Sequence, residues 1–159
     1  MTRWVIAALA ACLLTACTDA GDSDSAPGAD STPDRPLRGT IWGVTTLIEN
    51  QAGVDQRTAV DPSVADADLM IAEDGAVSGS GGCNRLIGTA TVRDESPNAA
   101  TISFQVGSTL MMCAPEAMAV EGAVLAVLTD DTDAVISGDT LTLRAQDGRG
   151  LILVAAQTP

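Results

Sequence analysis

Val77-Ser78-Gly79-Ser80-Gly81-Gly82-Cys83-Asn84-Arg85-Leu86-Ile87-Gly88 is the stretch around which this chain is arranged. Two strand-like runs meet in it, separated by a polar corner at Asn84–Arg85. Glycine enters positive φ without a steric penalty and lets another backbone approach closely. Gly79, Gly81 and Gly82 therefore predict a bulge or tight corner that delivers Cys83 to a partner.

Working outward, the chain reads as strands on both sides of that corner. Thr40 to Glu49 runs as a strand with Trp42, Val44 and Ile48 on one face, and Asn50 to Asp61 as a loop or ragged edge strand. Asp66 to Ala72 alternates, with Ala67, Leu69 and Ile71 facing one way, and Asp74-Gly75 is a two-residue hairpin signal into Val77. Beyond the corner, Gly88 to Arg93 places Ala90 and Val92 inward. Pro97 and Asn98 make a turn, and Thr101 to Val106 sets Ile102, Phe104 and Val106 against Thr101, Ser103 and Gln105. Such alternation marks an antiparallel sheet wet on one face.

One segment breaks the pattern. Pro115 suits the first turn of a helix and Glu116 suits its dipole, and Ala117, Val120, Val124 and Leu128 recur at helical spacing over Ala114 to Leu128. Asp130 to Asp133 ends it. Ala134 to Ser137 and Thr140 to Ala145 then join through Gly138-Asp139. Asp147-Gly148 turns the chain into Gly150 to Ala156, whose unbroken Leu-Ile-Leu-Val run predicts a central strand covered on both faces. The fold class expected is α+β: a strongly bent antiparallel β-sheet, open and barrel-like, packed on one α-helix in a single domain.

The 159 residues suit one domain and show no internal repeat. Hydrophobic residues make up 46%, yet there is one Phe and no Tyr, so Val, Leu, Ile, Ala and Met must build the core. All basic residues are Arg, 8 against 21 acidic ones, and the net charge of −13 argues against nucleic acid or a bare anionic bilayer as partner. There is no His, which removes Ser-His-Asp and Cys-His catalysis, histidine metal sites and histidine pH switches together.

The N-terminus resembles a bacterial lipoprotein signal. Met1-Thr2-Arg3 is a short basic start, Trp4 to Leu14 is apolar, and Leu14-Thr15-Ala16-Cys17 resembles a lipobox. That resemblance implies a signal peptide over 1–16, cleavage before Cys17, and lipidation of Cys17, with Cys12 discarded. Two or more acyl chains, at about 0.8 kcal/mol per buried CH₂, anchor a protein stably where one does not. Thr18 to about Arg38 is rich in Asp, Ser, Gly and Pro and reads as a disordered acidic tether spanning ~25 Å. The domain proper is expected over 39–157.

Trp42 in a first strand, Val77-x-Gly79, Gly82-Cys83-Asn84 with Gly88, Thr109-x-Met111-x-Cys113, Glu121 in a helix and a leucine-rich terminal hairpin together resemble the META domain, the HslJ-like family of bacterial envelope proteins. The likeness covers about Leu37 to Gln157. It implies a bent sheet wrapping one helix, a stress-responsive envelope role, and pairing of Cys83 with Cys113. Counting supports that pair independently, since lipidation of Cys17 leaves two thiols in an exported chain; two buried free thiols are the alternative.

Met70, Met111, Met112 and Met118 with the cysteines offer soft ligands for copper. Adjacent Met111 and Met112 on a strand would face opposite ways, however, and methionine fills gaps in cores poor in aromatics, so core packing is expected and no metal site. Asp131 with Asp133 or Asp139 is the best remaining acid pair, read as a cap and turn rather than as catalytic. The expectation is a non-enzymatic lipoprotein, without cofactor, held to an envelope membrane through Cys17 and facing the extracytoplasmic side. Its role would be structural, stress-protective or an interaction with another envelope protein. The alternative is a binding module, either for copper through Met and Cys or as an inhibitor of an envelope hydrolase.

Overall fold

The structure is a computed structural model and describes residues 33–129 and 131–157. The expected signal peptide, Cys17 and most of the expected tether lie outside the described residues. The tether's last stretch does not: Arg35 N–H donates to Gly138 O (2.8 Å), and Asp34 Oδ1 accepts from Gly138 N–H (2.7 Å). Two backbone-directed bonds fasten this segment to the domain ahead of the expected boundary at Arg38.

Nine strands and one helix follow in the order β1 (Ile41–Gln51), β2 (Val54–Ala59), β3 (Asp66–Ile71), β4 (Ala76–Gly82), β5 (Arg85–Ser96), β6 (Ala99–Ser108), α1 (Pro115–Val127), β7 (Asp131–Ser137), β8 (Thr140–Ala145) and β9 (Gly150–Ala155). Every pairing is antiparallel, between neighbours β1–β3, β3–β4 and onward to β8–β9. The bent sheet closes, because β9 also pairs with β1 from Trp42↔Ala155 to Ile48↔Gly150. Strand β2 pairs with the second half of β1 and stays outside the closed ring.

The alternation read in the sequence is what fills the interior. Trp42, Leu69, Ile71, Leu86, Ile102, Leu141, Leu143, Leu151 and Leu153 are fully buried in one cluster, joined by Val124, Val127 and Leu128 from α1. Trp42 stays bonded while buried, its Nε1–H donating to Leu37 O (3.1 Å). Helix α1 lies over β4, β1, β8 and β9. Pro115 opens it, Glu116 lies in its first turn, and the Leu128 N–H closes it on Val124 O and Leu125 O.

Four expectations need correction. The Asn50 to Asp61 segment does hold an edge strand, but a regular hairpin arm and not a loop or a ragged one, because Ala52 and Gly53 both take positive φ (54° and 82°) and so supply the turn that suits the twist of paired strands. Asp131 to Asp133 is strand rather than cap and turn. Thr132 is buried between two exposed aspartates, and its hydroxyl donates to Val127 O (2.9 Å), so it serves the helix end from inside β7. Strand β9 is covered on one face only: Leu151, Leu153 and Ala155 are buried while Ile152 and Val154 are half-buried on the outside of the ring. Finally, Met111 and Met112 are not core residues. They lie in the irregular segment between β6 and α1, 62% and 94% exposed, beside Leu110 at 97%. Closure of the barrel by Leu, Ile and Val leaves no gap for them to fill.

Candidate functional site

The corner from β4 into β5 meets the segment 109–114 and helix α1, and three kinds of bond hold them together. Cys83 and Cys113 form a disulfide with Cα atoms 5.9 Å apart. Asn84, only 2% exposed, uses its side-chain amide to imitate a strand partner: Oδ1 accepts from Met111 N–H (2.6 Å) and Nδ2 donates to Met111 O (3.2 Å). Thr109 Oγ1 donates to the same Oδ1 (2.9 Å) and accepts from Arg85 N–H (3.2 Å).

Behind this clamp stands Glu121, 4% exposed on the buried face of α1. Its carboxylate accepts from Asn84 N–H (2.8 Å), from Asn84 Nδ2 (3.0 and 3.2 Å to its two oxygens) and from Ser108 Oγ (3.1 Å). A buried carboxylate without such donors would cost several kcal/mol; here neutral dipoles from both strands offset the lost water. The glycines make the approach possible. A Cβ at Gly81 would lie 2.8 Å from Glu121 Cγ, and one at Gly82, where φ is +107°, would lie 2.9 Å from Ala65 Cβ. The helix can therefore rest on the strand at Gly81, and Ala65 can close against Gly82, only because the strand has no side chains there.

The consequence is a short apolar loop held rigid at both ends. Leu110 and Met112 project into solvent from a backbone pinned by a disulfide, an amide clamp and the first turn of α1. Such a preorganised backbone loses little entropy when a partner covers the side chains it presents.

The other sequence candidates fall apart in space or on the surface. Asp131 and Asp133 lie on the outer face of β7, bonded to Ser103 Oγ and Thr101 Oγ1 respectively, and Asp139 accepts from the Thr140 hydroxyl in the β7–β8 turn. Met70 is on β3, half-buried, and Met118 is on α1. Among the described residues no group of three His, Cys, Asp or Glu side chains could hold a metal ion. Sequence reasoning missed the exposure of Leu110–Met112 and the contact of Asn84 with Glu121. The bounding residues Thr109 and Cys113-Ala114-Pro115 were the available signal, since a proline so close leaves little room for a strand.

The chain matches the META domain model over residues 35–158. It belongs to the META domain family. The fold is also similar to that in an NMR structure of a protein from Burkholderia xenovorans, with 26% identity and a TM-score of 0.59 over 77% of this chain and 85% of that one. A second NMR structure, at 20% identity and a TM-score of 0.52, covers 74% of this chain and 90% of its own and supports the fold alone. None of the curated proteins compared matches the chain. In this META domain, the Gly-Cys-Asn and Thr-x-Met-x-Cys motifs are thus the two halves of one clamp.

Proposed function

We propose that this META domain protein is an envelope lipoprotein, anchored through Cys17, whose role is non-enzymatic and whose clamped Leu110–Met112 loop docks another envelope protein. The observation that carries the reading is the near-complete exposure of Leu110 and Met112 on a backbone fixed by Cys83–Cys113 and Asn84. Exposed apolar side chains cost solubility, and nothing in the packing of the barrel requires them. The place where the chain enters the barrel supports the same reading. Asp34 and Arg35 bond to Gly138 at the end of the barrel that carries the β7–β8 turn, whereas the loop leaves the opposite end of β6. A strand of that length spans about 33 Å, so the loop lies at the end of the barrel away from where the chain enters it.

An inhibitor of an envelope hydrolase is one form of this reading, because a rigid loop offers a protruding edge to a cleft. The copper reading loses its thiolates to the disulfide and retains only thioethers.

Two measurements test the proposal. Intact mass of the protein from its native membrane should exceed the peptide mass from Cys17 onward by two or three acyl chains. A photo-cross-linker at position 112 should trap one stoichiometric envelope protein, a cross-linker at exposed Val135 should not, and Leu110→Asp should abolish the adduct. An unacylated chain, or equal trapping from both positions, would overturn it.

A further inference from the structure

Strand register places two rows of side chains on the outside of the barrel between β1 and β5. Ile41, Met70, Ser78 and Ile87 are successive cross-strand partners, and so are Asp68, Ser80 and Arg85. The members of the two rows are two residues apart along each strand, so the rows lie side by side on one face, one mainly apolar and one polar. They border a cleft of about 410 Å³.

The polar row is incompletely bonded. Asp68 is half-buried, and loss of water around it pushes its carboxyl above the ordinary range, with Asp66 adding to the shift and Arg85 opposing it. Among the described residues its carboxylate accepts no side-chain hydrogen bond, the Ser78 hydroxyl has no partner, and Arg85 makes no ion pair. Asp68 and Arg85 flank Ser80 across two strand spacings, about 9–10 Å between backbones. Ser80 Oγ accepts from Gly82 N–H (3.1 Å), which leaves its own proton free to donate.

We propose that this cleft binds a free amino acid with an apolar side chain: its ammonium on Asp68, its carboxylate on Arg85 and Ser80, its side chain along Met70 and Ile41. A lone cation would meet Arg85 and a lone anion would meet Asp68, whereas a zwitterion satisfies both charges and restores the donors that burial removed. The net neutrality of such a ligand also spares it the field of a molecule carrying −13. The side chains of this site lie apart from the loop assigned to docking above, and Arg85 joins the two only through its backbone, which bonds to Thr109.

The test is calorimetric titration of the full chain with L-leucine, with 4-methylpentanoate, which lacks the ammonium, and with isopentylamine, which lacks the carboxylate. Leucine should bind saturably and shift the Ser78 and Ser80 amide resonances, and each truncated probe should bind at least tenfold more weakly. Asp68→Asn and Arg85→Gln should each weaken leucine tenfold or more with little change in thermal midpoint, and Leu110→Asp should leave leucine binding intact. Absence of saturable leucine binding at tens of millimolar overturns the proposal. So does isopentylamine binding as tightly as leucine with Arg85→Gln silent, which would mark a plain amine site. If Asp68→Asn fails to fold, the Arg85→Gln and truncated-probe comparisons still decide.

Discussion

Ala52 holds a φ of 54° at the first position of the β1–β2 turn, a region that non-glycine residues enter at a cost. Asn tolerates that conformation better, so Ala52→Asn should stabilise the protein by about 0.5–1 kcal/mol, read as a higher urea midpoint with an unchanged slope. Gly88 presents the opposite case. A Cβ there would lie 2.1 Å from Gln105 O, a backbone atom of the neighbouring strand, whereas nothing approaches a Cβ at Gly107 within 4 Å. Gly88→Ala should therefore lose roughly 2–4 kcal/mol of unfolding free energy, while Gly107→Ala should stay within about 1 kcal/mol of the parent. Local chemistry of this kind was readable in advance at Asp74-Gly75 and Asp147-Gly148, whose glycines take φ of 86° and 85°. The first is nonetheless a three-residue loop, Glu73 to Gly75, and not the two-residue turn expected: Ala72 N–H donates to Ala76 O, and Asp74 stays out of positive φ. Glu121 was not so readable. Helical spacing puts it beside Ala117 and Val124, but only the three-dimensional meeting of α1 with the Gly81-Gly82 edge explains why a carboxylate can be buried there.

Among the elements, the segment between β6 and α1 has no regular structure of its own and is held instead by a disulfide and the Asn84 amide. Its disulfide closes a loop with a sequence separation of 30. In the chain-entropy account such a closure stabilises the fold by about 3–4 kcal/mol. The double variant Cys83→Ala/Cys113→Ala should accordingly lose about that much in chemical denaturation. Hydrogen exchange should accelerate at the Met111 amide, which donates to Asn84 Oδ1 beside the bridge, more than in β5 or β6. Uniform acceleration across the barrel would show instead that the bridge stabilises the fold as a whole and does not locally fix the loop. The strands with clean alternation, β6 and β8, were legible because each pays its burial on one face and bonds on both edges. Met111 and Met112 were misread as strand and core because apolarity alone does not distinguish a buried side chain from one kept outside for a partner. Strand β9 was misread for a related reason: four apolar residues in a row suggest two covered faces, yet in the closed ring the outward pair, Ile152 and Val154, is only half-covered.

At the scale of the whole molecule, closure and charge act together. The β1–β2 hairpin protrudes from the ring, and Asp55 ties it back to β8 through a two-point ion pair with Arg144, which also donates to Gly148 O (2.7 Å). Hydrogen bonding from Arg144 holds the Asp55 carboxyl below its ordinary value near 3.8, as Ser63 does for Asp61 and Arg149 for Asp147. Burial moves Asp68 the other way. The two directions have opposite consequences. As pH falls toward 3.8, folded Asp68 takes up its proton before the unfolded chain does, so its contribution to stability rises. Below 3.8 the unfolded chain protonates Asp55, Asp61 and Asp147 while the folded state still resists, so their contribution is lost through their depressed folded pKa values. Unfolding free energy should thus pass through a maximum on the mildly acidic side and then decline, with relief of the −13 self-repulsion adding to the rise. Denaturant titrations at successive pH values check this against two variants. Asp68→Asn should remove the part of the rise that added salt does not mimic. Asp55→Asn should match the parent most closely at the acid end and fall furthest behind it near pH 6, since only the ionised Asp55 can hold Arg144 and, through it, the protruding hairpin. A variant difference that stayed constant with pH would mean that the hairpin is held by shape and hydrogen bonding alone, with no contribution from the charge of Asp55.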